Sequence, residues 1–211
     1  MHYDIIIIGG GASGLMAAYG ACKAGNKKVS VLVLEKMPRP GRKIMITGKG
    51  RCNFTNVKSW SDFSSHVRAN SNVLRPSFYN LTPDALIDFF SQNGMESVVE
   101  RGDRAFPISH KSMDVVDALA DAALHAGARI EVNADVTDVE HDGSCFTVTL
   151  SGGRSFTSSK LIIATGGLSY PSTGSTGFGY SLAEKFGHTL KQCFPSLTAL
   201  VPHRSVCFRH S

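Results

Sequence analysis

The hydrophobic positions begin as one unbroken run and then change period. Ile5-Ile6-Ile7-Ile8 follows Asp4 without a polar interruption, the pattern of a β-strand buried on both faces. Gly9-Gly10-Gly11-Ala12-Ser13-Gly14 comes next, then an Ala-rich helical stretch from Leu15 to Ala24 that Gly25-Asn26 ends. Val29 to Leu34 reads as a second buried strand, closed by Glu35. Strand, turn, helix and strand in this order predict a right-handed parallel crossover.

Met37 to Thr55 is rich in Gly, Arg and Lys, and predicts a loop whose length points to function rather than connection. Helices are predicted over Ser61 to Asn70 and over Pro83 to Asn93, the latter with Thr82 as N-cap and Pro83 in its first turn. Met95 to Glu100 and Ala105 to Ile108 read as short strands. Ser112 is expected to cap a helix that runs to Ala126 with Val115, Val116, Leu119 and Ala122 on its apolar side, and Gly127 to end it. Short alternating segments at Arg129 to Val132, Asp135 to Glu140, Cys145 to Leu150 and Arg154 to Thr157 predict a small antiparallel β segment over 129–157, with turns at Asp142-Gly143 and Gly152-Gly153. Lys160 to Ala164 is a further buried strand, Thr165 to Gly179 is again Gly-rich, and Tyr180 to Phe186 predicts a helix.

Composition narrows the function classes. With 211 residues, 42% of them hydrophobic and 18% charged, the chain can bury a large core, and global disorder is excluded. The net charge is +5, and the stretch from Glu35 to Arg51 holds six basic residues against one acid. Such a loop calls for an anionic partner, for which a small phosphate compound suffices. No aromatic residue interleaves the basic ones before Phe54, so nucleic acid is not expected. The five cysteines form no CxxC pair and the histidines no metal spacing, which points to reduced thiols and no metal. Met1 to Asp4 has no basic n-region, and Ile5 to Ile8 is too short for a signal core or a span. The expected location is therefore the cytoplasm, with no membrane partner.

The pattern Gly9-x-Gly11-x-x-Gly14 sits between a strand and a helix, and Glu35 ends the next strand 21 residues after Gly14. That is the context of dinucleotide binding. Gly9 permits the tight turn, Gly11 lets the backbone approach a pyrophosphate, and Gly14 lets helix and strand pack closely. Ala12 and Ser13 lie at the positive end of the helix dipole. Glu35, followed by Lys36, can accept hydrogen bonds from a ribose diol, about 1.5–3 kcal/mol for each charge-assisted bond. An acid there favours NAD or FAD over NADP. The long basic loop after Glu35, and a second Gly-rich strand end at Ala164-Thr165-Gly166-Gly167, favour the longer FAD. An NAD-dependent dehydrogenase is the alternative.

In the basic loop, Gly48 and Gly50 allow close backbone approach to a ligand. Arg42, Lys43 and Arg51 can neutralise phosphate or the electron-rich end of a reduced flavin. Asn53 can offer a donor and an acceptor to a flavin-like ring edge. Cys52 has two readings: a packing cysteine beside the cofactor, or a redox thiol with a pKa lowered by Arg51 and Lys49. Arg101 to Lys111 reads either as a substrate-facing element or as an exposed hairpin.

Taken together, Asp4 to Lys36, Gly41-Arg42-Lys43, Thr47-Gly48-x-Gly50-Arg51-Cys52-Asn53-x-Thr55-Asn56, Phe106-Pro107-x-Ser109 and Ala164-Thr165-Gly166-Gly167-x-Ser169-Tyr170-Pro171-x-Thr173-Gly174-Ser175-x-Gly177 resemble one bacterial family. It is the group of NAD(P)/FAD-dependent oxidoreductases that includes BaiN-like and aminoacetone oxidase-like proteins. The resemblance implies a Rossmann-like α/β FAD-binding domain of the two-dinucleotide-binding type, with a parallel sheet, crossover helices and a small antiparallel β layer. It implies FAD, with its adenosine half on Gly9 to Gly14 and Glu35 and its flavin nearer Arg42 to Asn53. Val136 would hold the adenine through its backbone, and Ala164 to Gly166 would form the second cofactor turn. NAD(P)H would be a transient electron donor, and the other partner a small-molecule substrate. Family members are longer, so the resemblance also implies an incomplete FAD domain over 1–201 with a helical and hairpin insertion at 60–111, an aberrant tail at 202–211, and a missing substrate domain and C-terminal FAD segment. A catalytically inactive fragment that binds FAD weakly or not at all is the corresponding alternative.

Overall fold

The computed structural model describes residues 1–195 apart from Lys27 and Ala69, so the 202–211 tail lies outside the described residues. The chain starts with β1 (His2–Ile8), α1 (Ala12–Ala24) and β2 (Val31–Leu34), the predicted crossover. Ile5 to Ile8 pair in parallel with Val31 to Leu34. Ile6, Ile7, Leu32, Val33 and Leu34 are fully buried, as an all-apolar strand requires. Each such side chain contributes about 1.5–3 kcal/mol of burial.

The predicted loop contains short helical turns, α2 (Arg42–Ile46) and a 3-10 turn at Thr47–Gly50. A small antiparallel sheet follows in the order β3 (Thr55–Asn56), β5 (Arg104–Pro107), β4 (Ser97–Glu100). Between β3 and β4 lie α3 (Trp60–Ser65), α4 (Arg75–Asn80) and α5 (Pro83–Gln92). Thr82 caps α5 as expected, accepting from the Ala85 N–H. The helix predicted over Ser61 to Asn70 ends at Ser65, and α4, with Pro76 in its first turn, was not predicted because no side chain caps its start.

The helix α6 (Ser112–Ala126) lies against α1, with Ala18 and Cys22 meeting Ala123 and Ala126. Small side chains on both helices permit this approach. The N-cap position of α6 is Lys111, not Ser112; the Ser112 hydroxyl instead donates to the Met45 carbonyl (2.9 Å) and pins the basic loop to α6.

After α6 come β6 (Arg129–Glu131), β7 (Val136–His141), β8 (Phe146–Leu150), β9 (Ser155–Ile163) and α7 (Phe178–Lys185). The main sheet has the order β6-β2-β1-β9-β8-β7. Two expectations change here. Arg129–Glu131 runs parallel to β2 rather than joining the antiparallel set. The two predicted segments at 154–157 and 160–164 are one strand: β9 pairs antiparallel with β8 through Ser155 to Ser158 and parallel with β1 through Thr157 to Ile163. Ser158, paired on both edges, is fully buried, and its hydroxyl donates to the Lys160 carbonyl, which lets a polar residue sit inside a continuous strand. The ends of β1, β2 and β9 therefore open on one side of the sheet, where ligands of such folds bind.

Candidate cofactor-binding site

The strand ends border a cleft of about 920 Å³, at the upper end of the roughly 300–1,000 Å³ of small-molecule and cofactor sites. Of the predicted site residues, Gly9, Gly11, Ala12, Ser13, Glu35, Lys36, Arg42, Lys43, Cys52, Asn53, Val136, Ala164, Thr165 and Gly166 line it. Gly14, Gly48 and Arg51 do not.

The three glycines of the first turn divide their roles as the spacing demands. A Cβ on Gly9, whose φ is +107°, would lie 2.4 Å from the Ala164 carbonyl oxygen, so this glycine lets β1 and β9 end side by side. A Cβ on Gly14 would lie 1.9 Å from the Gly9 oxygen, so Gly14 acts in helix–strand packing, outside the cleft. A Cβ on Gly11 would meet nothing within 4 Å. Gly11 thus leaves the start of α1 open toward the cleft. No side chain caps α1 and no acid lies in its first turn, so its leading N–H groups and positive dipole end face a space shaped for an anion.

Glu35 is already engaged: its carboxylate accepts the Gly10 N–H (2.7 Å) and the Met37 N–H (2.8 Å). Two carboxylate oxygens keep further lone pairs for a diol. Beside it Lys36 pairs with Asp135 (3.4 Å), and Asp135 and Val136 form the same end of the cleft.

At the other end the basic loop crosses to the turn after β9. The Lys43 ammonium donates to the Ser175 hydroxyl (2.8 Å). Ser175 belongs to the Gly-rich stretch that carries the family resemblance but was not among the expected cofactor contacts; it is 132 positions away from Lys43, and periodicity carries no signal for that meeting. Arg51 departs from its expected role. Its guanidinium bonds Glu100 (3.0 Å) and lies over the Phe106 ring (4.3 Å), which takes it out of the cleft to brace the β4–β5 hairpin. Gly48 (φ +55°) supports the turn from Thr47 to Cys52. The Asn53 amide nitrogen reaches the Thr55 and Ala105 carbonyls (2.8 and 3.3 Å), so its donors hold the loop and only its oxygen is left for a ligand.

Cys52 is buried (4% exposed), and burial pushes its thiol pKa up, against a smaller lowering by the Thr47 hydrogen bond. Burial and a raised pKa favour the packing-cysteine reading over the redox thiol, with Cys52 set in the wall of the cleft. Within the Arg101 to Lys111 stretch, Arg101 to Arg104 are exposed at the β4–β5 turn, Ala105, Phe106 and Pro107 are buried in β5, and no residue of the stretch lines the cleft. The signal that sequence reading passed over is apolar: Met16, Phe54, Phe90, Val115 and Leu119 from three helices and the loop form the floor at the Cys52 end. Among the described residues no group of His, Cys, Asp and Glu could hold a metal, and no helix is long and apolar enough to cross a membrane.

A family model described as the HI0933-like protein Rossmann domain matches residues 3–194. The chain belongs to this family. Its Rossmann domain is of the FAD-binding kind. Two curated relatives match over nearly the whole chain. Ribosomal RNA dihydrouridine synthase of Escherichia coli (strain K12) is 32% identical over 95% of this chain and 48% of its own length. The 3-dehydro-bile acid delta(4,6)-reductase of Clostridium scindens is 33% identical over 92% and 46%. The chain spans about half the length of the curated relatives it matches. Among solved structures, 3-ketosteroid-delta4-(5alpha)-dehydrogenase of Rhodococcus jostii RHA1 superposes with a TM-score of 0.57 at 15% identity, covering 80% of this chain and 47% of that one, which shows the shared fold.

The cleft fits FAD on its own geometry. The open Gly11 cradle and uncapped α1 suit a diphosphate. Glu35, Val136, Lys43, Asn53 and the Ala164 to Gly166 turn line the same cleft.

Proposed function

We propose that residues 1–201 belong to the FAD-binding domain of an oxidoreductase that moves two electrons between NAD(P)H or an organic donor and a small-molecule substrate. One observation carries the reading: Glu35, the uncapped start of α1, Lys43 and the turn after β9 all border a single cleft. Residues 60–111 form an insertion and 129–157 a β segment around it. Bound FAD supplies the electron-transfer chemistry, and the protein binds, orients and tunes it. Glu35 would take the ribose diol, Gly11 to Ser13 the diphosphate and Val136 the adenine. Arg42 and Asn53 would face the flavin half, and Lys43 a negative charge of the cofactor. Cys52 and its apolar neighbours exclude water from that end.

Substrate class has two supported readings. The name of the Clostridium scindens relative supports a small apolar molecule. The name of the Escherichia coli relative supports a base within ribosomal RNA, against the expectation that nucleic acid plays no part.

Anaerobic stopped-flow mixing of the FAD-loaded chain with NADH or NADPH tests the oxidoreductase reading. Bleaching of the flavin band supports it with nicotinamide as donor. Absence of reduction by either nicotinamide, with photoreduced flavin also failing to reoxidise on any offered acceptor, supports the inactive fragment instead.

A further inference from the structure

Three basic side chains of the loop were candidates for an anion, and the structure separates them. Arg51 is neutralised by Glu100 outside the cleft. Arg42 borders the cleft and makes no side-chain hydrogen bond or ion pair among the described residues. Lys43 alone is fixed: its half-buried ammonium donates to Ser175, itself buried at 7% exposure, and no ion pair among the described residues includes it. The Ser175 hydroxyl turns toward the Thr165 carbonyl (3.5 Å), which leaves its oxygen lone pairs to the ammonium. Gly166 makes room for both. At a φ of +74°, a Cβ there would lie 2.8 Å from the Ser175 oxygen and 3.7 Å from the Lys43 nitrogen. A cation held by a neutral partner, in a cleft it shares with an uncapped helix start, retains two donor hydrogens and an uncompensated charge.

We infer that Lys43, positioned by Ser175 across the Gly166 turn, is the seat for a negative charge of the bound cofactor. This deepens the FAD reading above and rests on it. The charge has two possible sources, the diphosphate or the reduced flavin ring, and both call for the same fixed ammonium. Ser175 is the positioning residue: it touches Lys43, and its hydroxyl sets where the ammonium stands.

The test uses the 211-residue chain. FAD affinity, ADP affinity and the flavin reduction potential are measured for the native chain and for Lys43→Met, Lys43→Arg and Ser175→Ala, with far-UV circular dichroism as the check on folding. A diphosphate seat gives Lys43→Met a loss of about 10- to 100-fold in both FAD and ADP affinity with the potential unchanged. A flavin seat leaves ADP affinity intact and lowers the potential by about 30 mV for each tenfold of lost preference for the reduced form. In either case Lys43→Arg restores most of the effect and Ser175→Ala shows a fraction of it. If Lys43→Met does not fold, Ser175→Ala carries the same expectation in smaller size. Folded variants with native FAD affinity, ADP affinity and potential would overturn the inference. A native chain that binds neither FAD nor ADP would overturn the cofactor reading itself, so the two failures are distinct.

Discussion

Glu35 accepts the Gly10 N–H at 2.7 Å, which ties the end of β2 to the Gly-rich turn before any ligand is present. The same carboxylate holds the Met37 N–H, so it sets the entry to the basic loop as well. Replacing it removes two acceptors and a ligand contact together. Glu35→Ala is expected to lower FAD affinity by about 10- to 100-fold and to lower the melting temperature of the ligand-free chain. Glu35→Gln, which keeps one acceptor oxygen, is expected to lose less of both. Titration calorimetry and thermal melts read the two effects separately, and an unchanged ligand-free melt in Glu35→Ala would count against the structural half.

Two neighbouring glycines are expected to fail in opposite ways. Gly14→Ala drives a methyl into the Gly9 carbonyl, a clash with backbone that cannot rotate aside. The expected cost is about 1–3 kcal/mol or more of stability, seen as a lower denaturation midpoint. Gly11→Ala meets only open space at an ordinary φ of −79°. It is expected to fold like the native chain and to bind FAD at least about tenfold more weakly. Equal melts and equal affinities for the two variants would contradict the division of roles.

The thiols are expected to react in order of exposure. Cys193 is exposed and Cys145 half-buried, whereas Cys22 and Cys52 are buried, with burial raising the pKa of both. Among the four cysteines of the described residues, alkylation followed by peptide mass spectrometry at neutral pH is expected to mark Cys193 first and Cys52 only in denaturant. Early labelling of Cys52 would restore its redox reading.

Asp142 sits in the turn between β7 and β8, where the backbone N–H groups of Cys145 and Ser144 lower its pKa to about 2 from an ordinary value of 3.8. A depressed folded-state pKa contributes stability that is present above the unfolded value and lost as pH falls through the folded one. The window therefore runs from about pH 4 down to about pH 2. Melts of Asp142→Asn and the native chain are expected to differ above that window and to converge across it. A constant difference from pH 6 to pH 2 would show that the turn does not depend on the charge.

Local patterns carried much of this structure into the sequence. The run of isoleucines, the Gly-rich turn and Glu35 are close in the chain, so their geometry follows from spacing alone, and α6 declares itself through its apolar side and Gly127. What stayed hidden depends on residues far apart or on polar groups satisfied locally. Buried Ser158 breaks the apolar pattern of β9, though its hydroxyl is satisfied two residues on. The placement of Arg51 is decided by Glu100 and Phe106, and that of Lys43 by Ser175, contacts that only the assembled fold creates. Composition marked the loop as basic but could not say which cation is already neutralised.

The central claim is that one cleft on this chain holds FAD, and titration of the purified 211-residue chain with FAD, followed by flavin fluorescence and checked by the visible spectrum after gel filtration, tests it most directly. The expected result is saturation at one FAD per chain with a flavin band that travels with the protein, and no displacement by NADH. A folded chain that takes up NADH and leaves FAD free in solution would contradict the account and favour a nicotinamide-dependent dehydrogenase.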